Sequence, residues 1–346
     1  MIKNILVTGN LGYIGTVLTK FLTEKNYYIT GYDNGFYESN LFGEIVTKPQ
    51  IQIKKDIRDL KDEDLSNIDC VIHLAGLSND PLGEFNKSLT YEINLKGTVK
   101  FAKISRTNGV KRFIYISSQS MYGISESTEE LDEDLSKKHP ITTYAKAKWE
   151  AEKEINEMSN NNFTVVSFRP STVFGWSPRL RCDIVFNNLV ASAYTENKIV
   201  VFSDGSPWRP VIHIRDVCSA IYAGIVAPSN LVNNKSYNIG VKNGNYTVKE
   251  MAEVVREIYP KTEVIFKNKT PDSRTYKVSF KRILSELSNY YKPSWDLKSG
   301  AKELIENFDK FRFTKDDFQG TKTNRIQQLK YLQNQGYLSN EFRMIK

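Results

Sequence analysis

Residues 5–22 read ILVTGNLGYIGTVLTKFL: a short apolar run, three glycines at Gly9, Gly12 and Gly15, then apolar residues at helical spacing. Glycine tolerates the positive φ of a tight turn, and without a Cβ it lets backbone N–H groups approach a ligand. At a helix start those N–H groups form the positive end of the helix dipole, which suits a pyrophosphate. A glycine triplet alone is weak, so the reading rests on its surroundings. The glycines follow a strand pattern and open a helix. YYITGYDNG then puts Asp33, 18 residues beyond Gly15, at the end of a second strand. A carboxylate there accepts both hydroxyls of an adenosine ribose and repels a 2′-phosphate. No Arg or Lys lies between Asp33 and Gly43, so the expected cofactor is NAD(H) rather than NADP(H).

From this unit outward, apolar runs alternate with helical stretches. Ile5–Thr8 is followed by a helix near Ile14–Glu24, then by strands Tyr28–Tyr32 and Ile51–Lys54. CVIHLAG (Cys70–Gly76), RFIYISS (Arg112–Ser118) and FTVVSFRP (Phe163–Pro170) continue the series. Continuous apolar strands with helices between them predict a parallel sheet covered on both faces. That is the α/β, Rossmann-type doubly wound architecture. After Pro170 the alternation becomes irregular: GWSPRLRCD and SDGSPWRP read as loops, and WRPVIHI as a strand leading into a helix near Val217–Val226. We expect a dinucleotide-binding domain over 1–168 plus about 210–237, and a smaller mixed α/β C-terminal substrate lobe over 169–209 and 238–311. A helical tail over 312–346, with its pattern around Arg325–Gln335, is expected to wrap the surface.

Composition bounds the function. The 346 residues are 40% hydrophobic and 25% charged, ordinary globular values that suit two unequal lobes. The formal charge of +8 comes from scattered rather than clustered lysines, with no nucleic-acid motif beside them, so no nucleic-acid partner is expected. Cys70, Cys182 and Cys218 are widely spaced and form no CxxC pair, which fits reduced thiols and gives no metal site. No apolar run approaches a membrane span, and MIKNILVTG goes straight from one lysine into a strand. A cytoplasmic protein without a membrane partner is the expectation.

TTYAKAKWEAEKEI holds Tyr144 and Lys148 at Tyr-x-x-x-Lys spacing. Residues i and i+4 share a helix face, so both can point into one cleft. A free tyrosine, with a pKa of about 10, is a poor base at neutral pH. A nearby ammonium and the positive nicotinamide ring of NAD+ favour its phenolate, making Tyr144 a proton acceptor for a secondary alcohol. The spacing alone is common on solvated lysine-rich helices, and Lys146 and Lys153 stand close by. YISSQSMYG adds weight, because Ser118 follows a strand expected to end at the cofactor edge of the sheet. A hydroxyl there can donate to a substrate oxygen, or simply cap a turn.

TGxxGxxG, Asp33, DIRD (Asp56–Asp59), HLAGLS (His73–Ser78), EINLKGT (Glu92–Thr98), SSQSMYG and YAKAK occur together in one order. Over about residues 1–285 the chain thereby resembles the extended short-chain dehydrogenase/reductases that act on nucleotide sugars. The resemblance implies that Gly9, Gly12 and Gly15 line the pyrophosphate and Asp33 the ribose, with Leu11, Tyr13, Ile14 and Asn34 also at the cofactor. Asp56 and Ile57 would flank adenine, and Leu74, Ala75 and Gly76 the far side of the dinucleotide. Ser118, Tyr144 and Lys148 would be catalytic, Lys148 also holding the nicotinamide ribose. Asn94 is similar to an asparagine that supports the active-site helix, and is grouped with Ser117 and Pro170 at the cofactor. For the nucleoside diphosphate, guanidinium forks are needed. Arg209 and Arg274 lead, Arg179 and Arg181 follow, and Ser78 and Asn187 (or Asn188) complete the substrate set. Trp208 could stack on a base or be structural; His73 and His213 read as fold residues.

Departures from subfamily patterns narrow the reaction. The similar 4,6-dehydratases carry an Asp-Glu pair where this chain has Gln119 and Ser120, so dehydration is disfavoured. The 3,5-epimerase/reductases need a Cys and a His in the sugar pocket, and neither Cys182 nor Cys218 has an evident histidine partner. The leading expectation is an NAD-dependent epimerase that oxidises a nucleotide-diphosphate sugar transiently at C4. The alternative is an NAD(P)H-dependent 4-ketoreductase of a 4-keto-6-deoxy sugar, and the third reading a non-catalytic nucleotide-binding regulator. Helices near Asn86–Thr107 and Thr142–Ser159 carry surplus apolar residues, which predicts a homodimer through them.

Overall fold

The computed structural model describes residues 2–45, 47–125, 129–267 and 275–345. Its centre is a seven-stranded parallel sheet. From one edge the order is Lys235–Ile239, Thr164–Pro170, Arg112–Ile116, Cys70–His73, Asn4–Thr8, Tyr28–Asp33 and Ile51–Lys54. Along Asn4–Thr8 the pleat sends Ile5 and Val7 into one apolar layer and Leu6 into the other. Helices Tyr13–Thr23 and Ile214–Val226 cover the first face, contributing Leu18, Leu22, Val217 and Ile221. Helices Thr98–Thr107 and Thr143–Asn156 cover the second with Phe101, Ala102, Ala151 and Ile155. A strand with both faces covered must be apolar throughout, as Cys70–His73, wholly buried, illustrates.

The expected strands are present, with one addition at the edge. Lys235–Ile239 pairs in parallel with Thr164–Pro170. WRPVIHI does form a strand, Trp208–His213, but it pairs with Thr172–Phe174 and Asn245–Thr247 in a separate three-stranded sheet. The chain returns to the central sheet only with the helix that follows. A third apolar cluster, with Phe174, Phe186, Leu189, Met251, Leu304 and Phe308, underlies the second lobe. The tail does more than wrap the surface. Leu329, Leu332, Leu338 and Phe342 join the second apolar layer of the central sheet.

One buried cation ties sheet to helix. Arg112 Nη1 donates to the carbonyls of Gly224, Ile225 and Ala227 at 2.8, 2.6 and 2.9 Å, at the C-terminus of helix Ile214–Val226. These carbonyls lack intrahelical partners and carry the negative end of the dipole. Replacing Arg112 with Leu strands them in the interior. We expect a loss of about 3 kcal/mol, read as a lowered urea midpoint; an unchanged midpoint would contradict this role.

Candidate functional site

The first and fourth strands in chain order, Asn4–Thr8 and Cys70–His73, are sheet neighbours whose following helices go to opposite faces. Such a switch point leaves a crevice beyond the strand ends. Gly9, at φ +71°, turns the chain there, and Gly12 caps helix Tyr13–Thr23. A Cβ on Gly15 would stand 2.1 Å from the Gly9 carbonyl oxygen, so only glycine permits this tight loop. Across the crevice, Leu74 and Ala75 donate their N–H groups to Thr8 Oγ1, both at 3.1 Å.

A cavity of about 140 Å³ follows this loop, lined by Gly9, Gly12, Gly15, Asp33, Asn34, Asp56, Ile57 and Ala75 among others. It adjoins a larger one of about 900 Å³; Tyr13, Ile14, Leu74, Gly76, Ser78 and Arg181 line both. Asp33 Oδ2 accepts from Leu11 N at 3.1 Å and Oδ1 from Gly35 N at 2.8 Å. Burial pushes its carboxyl up, against these two N–H groups and the charge of Arg179. Asp56 is locked by Arg58 through Nε and Nη2 at 2.9 and 2.8 Å. The glycine cradle and the buried, unpartnered Ser117 Oγ in the larger cavity fit a dinucleotide laid along the two.

Ser118, Tyr144, Lys148 and Pro170 meet in the wall of the larger cavity. Tyr144 sits in the first turn of helix Thr143–Asn156, whose cap, Thr142, donates from Oγ1 to Asp80 Oδ1 at 2.5 Å. Gly83 lets this helix come close: a Cβ there would stand 2.7 Å from Tyr144 Cβ. Lys148 Nζ donates to the Ile116 carbonyl at 2.8 Å. Burial pulls this ammonium down to about 8, with Glu152 opposing. Burial pushes the Tyr144 phenol up to about 12; a Ser118 hydrogen bond and Arg181 pull it back, and Asp80 adds to the rise. Ser118 also caps its turn, accepting from Ser120 N at 3.1 Å.

Several expected residues stand elsewhere. Asn94 is buried behind the crevice, where its Oδ1 accepts from Leu77 N at 2.8 Å and its Nδ2 donates to Leu77 O at 2.9 Å. It shapes the loop and does not line either cavity. Asn187 accepts from Gly175 N and donates to Arg181 O and Tyr13 Oη, so its amide is spent inside the protein; its neighbour Asn188 donates to Cys182 O and lines the cavity. Arg179 Nη1 donates to the carbonyls of Tyr37 and Glu38, both at 2.6 Å, outside either lining. Leu11 enters only through its backbone N–H. Arg209 does line the larger cavity, and Arg274 lies outside the described residues. His213 stacks on Trp295 at 4.0 Å and bonds Glu303, while His73 lies between Thr8 and Thr98; both are satisfied fold residues.

Arg181 stands where the cavities join, forked onto Asp183 (2.8 and 3.0 Å) and donating to Ser78 Oγ at 2.8 Å. Sequence reading missed Tyr37 and Arg325, which line the smaller cavity, and Asp80, beside Tyr144 in the larger. Asp80 follows HLAGLSN closely enough to be sought; a tail arginine some 290 residues from Asp33 offers no local signal.

A model of the NAD dependent epimerase/dehydratase family matches residues 5–240. UDP-glucose 4-epimerase of Bacillus subtilis is 27% identical over 92% of this chain and 99% of its own. The uncharacterized protein y4nG of Sinorhizobium fredii is 29% identical over 74% of this chain, which spans 60% of that protein's length. The fold matches UDP-glucuronic acid 4-epimerase of Bacillus cereus, solved with UDP-glucuronic acid and NAD, at a TM-score of 0.74 and 24% identity, covering 89% of this chain and 99% of that one. Among the described residues no helix is long and apolar enough to cross a membrane.

The depressed Lys148 has a measurable consequence. Between about pH 8 and 10.5 the unfolded chain binds more protons at this site than the folded one, so this site makes stability rise with pH there. Lys148→Met should therefore melt above the native chain at pH 7, the gap closing as pH rises through that window. A gap independent of pH would show that Lys148 carries no such shift.

Proposed function

We propose that this chain, which belongs to the NAD dependent epimerase/dehydratase family, is an epimerase that inverts C4 of a nucleotide-diphosphate sugar. The observation that carries the reading is the grouping of Ser118, Tyr144 and Lys148 in the wall of a cavity of about 900 Å³ that continues into the glycine cradle. Bound NAD would supply a hydride acceptor that returns what it takes, and its oxidised ring a positive charge that draws the phenol's pKa down. Tyr144 would take the C4 hydroxyl proton and give it back after the sugar turns over. Ser118 would hold the C4 oxygen by hydrogen bond, and Lys148 would hold the nicotinamide ribose and favour the phenolate. Arg209 and Arg181 would face the substrate diphosphate, with Arg274 retained as a candidate from the sequence. The width of the cavity supports turning over within the site.

Gln119 speaks against dehydration. Its Nε2 donates to the carbonyls of Arg169 and Ile239 and its Oε1 accepts from Ser171, so it is a structural amide. The second reading, a 4-ketoreductase, uses the same residues for half the cycle and consumes NADH. A homodimer through the helices at 87–107 and Thr143–Asn156 is part of the proposal, resting on their sequence pattern. A reducing cytoplasm suits the three buried, unpaired cysteines.

Incubated with UDP- and dTDP-hexoses without added NADH, the protein should bring one C4 pair to equilibrium. Tyr144→Phe should lower turnover by about 10²–10⁴-fold while keeping the cofactor. Stoichiometric NADH consumption on a 4-keto substrate, with no interconversion of hexoses, would replace the epimerase with the reductase.

A further inference from the structure

The family match ends at residue 240, yet the last helix sends a guanidinium into the smaller cavity. Arg325 opens helix Arg325–Asn334 and is 2% exposed. Its Nη2 donates to the Arg179 carbonyl at 2.8 Å, and its plane lies over the Tyr37 ring at 4.5 Å. Its Nη1 has no partner although it is buried, and Tyr37 Oη and Arg179 Nε are buried and unpartnered close by. A buried cationic donor without an acceptor is costly. Here the cost is compounded, since Arg181 and Arg179 are like charges in its surroundings. Asp183, the carboxylate in the group, is already forked by Arg181. Burial and these neighbours pull Arg325 down to about 10. Arg325 Nη1 is left without an acceptor.

The segment bearing Arg325 is pinned at points that surround the same cavity. Asn40 Nδ2 donates to Thr321 O at 2.6 Å and Gln328 Nε2 to Phe36 O at 3.2 Å, fixing it to the loop after Asp33. Arg58, which holds Asp56, also donates to the carbonyls of Glu341 and Phe342, both at 3.0 Å. Phe342 stacks on Phe85 at 6.0 Å and meets Phe36 edge-on at 6.5 Å. The tail is thus fastened to the second lobe, to the loop after Asp33 and to the loop after the third strand.

We propose that the C-terminal segment 314–345 is a strap over the dinucleotide site, and that Arg325 Nη1, beside Arg181, is the missing partner of the cofactor's pyrophosphate. The diphosphate bears the anionic charge of NAD, whereas adenosine offers none, so the chemistry selects the pyrophosphate. The inference rests on the dinucleotide site assumed in the proposed function, and not on which carbon of the sugar reacts. A strap closed by an ion pair makes the nucleotide a resident rather than an exchanging co-substrate.

The test is binding, read apart from turnover. Native protein stripped of nucleotide is titrated with ADP-ribose by calorimetry and with adenosine by ligand-observed NMR. Arg325→Gln should weaken ADP-ribose by about ten- to a hundred-fold and leave adenosine unchanged. Arg325→Lys should recover part of the loss. Unchanged ADP-ribose affinity, or an equal loss for both ligands, would overturn the proposal. Should the variants fail to fold, the native chain decides: ADP-ribose, but not adenosine, should slow tryptic cleavage after the exposed Lys330, and equal rates would overturn the strap. A native chain that binds neither ligand would instead remove the dinucleotide reading itself.

Discussion

Everything at the site depends on how the protein handles the gap where two neighbouring parallel strands lead their chains to opposite faces. Beyond the strand ends the ladder stops, and backbone N–H groups need other acceptors. Thr8 supplies one: its hydroxyl accepts from both Leu74 and Ala75 and bonds His73 Nδ1 at 3.1 Å. With the loop after Cys70–His73 held there, Gly9 can turn without collision and the helix start at Gly12 is left facing open space. Asn94 fixes the next residues from behind. The crevice is held by a hydroxyl and an amide that touch no ligand cavity, which is why the glycines alone could not have built it.

The second organising feature is a set of buried cations only partly offset by carboxylates. Lys148, Arg181 and Arg325 are all buried along the cavities, and Asp183 is bound to Arg181. Taking cations out of water destabilises a free protein, and burial pulls both Lys148 and Arg325 down. A doubly charged diphosphate bound among them would relieve that destabilisation. The net +8 of the chain, which by composition alone reads as a solvated lysine surface, includes this inward-facing group.

Much of the scaffold was legible in the sequence, because buried parallel strands must be apolar throughout. Cys70–His73, wholly buried, shows this; Ile51–Lys54 is an exposed edge strand, legible from its Ile-Gln-Ile alternation, and the helix expected near Val217 begins at Ile214, where His213 accepts from Arg215 N and starts it earlier. Lys235–Ile239 was not read as a strand: it joins the sheet edge through its backbone, and KSYNI carries little apolar signal. At the site, spacing sufficed for the Tyr144–Lys148 pair, since helical geometry fixes it. Spacing could not separate Asn187 from Asn188: both amides hold backbone, Asn187 at Gly175 and Asn188 at Cys182, and Asn188 alone of the two borders the cavity. Arg325 was illegible for a different reason. Its place is set by its bond to the Arg179 carbonyl and by its segment's ties, Gln328 to Phe36 and Phe342 to Arg58, all distant in sequence, and a lone arginine at a helix start predicts none of them.

A resident NAD, held between the glycine cradle and the rest of the chain, is what this arrangement of loops and cations is proposed to serve. Freshly purified protein, denatured and its released nucleotide quantified by chromatography and mass spectrometry, should yield near-stoichiometric NAD+ or NADH. Protein that releases no nucleotide, and takes up none when NAD is supplied, would contradict it.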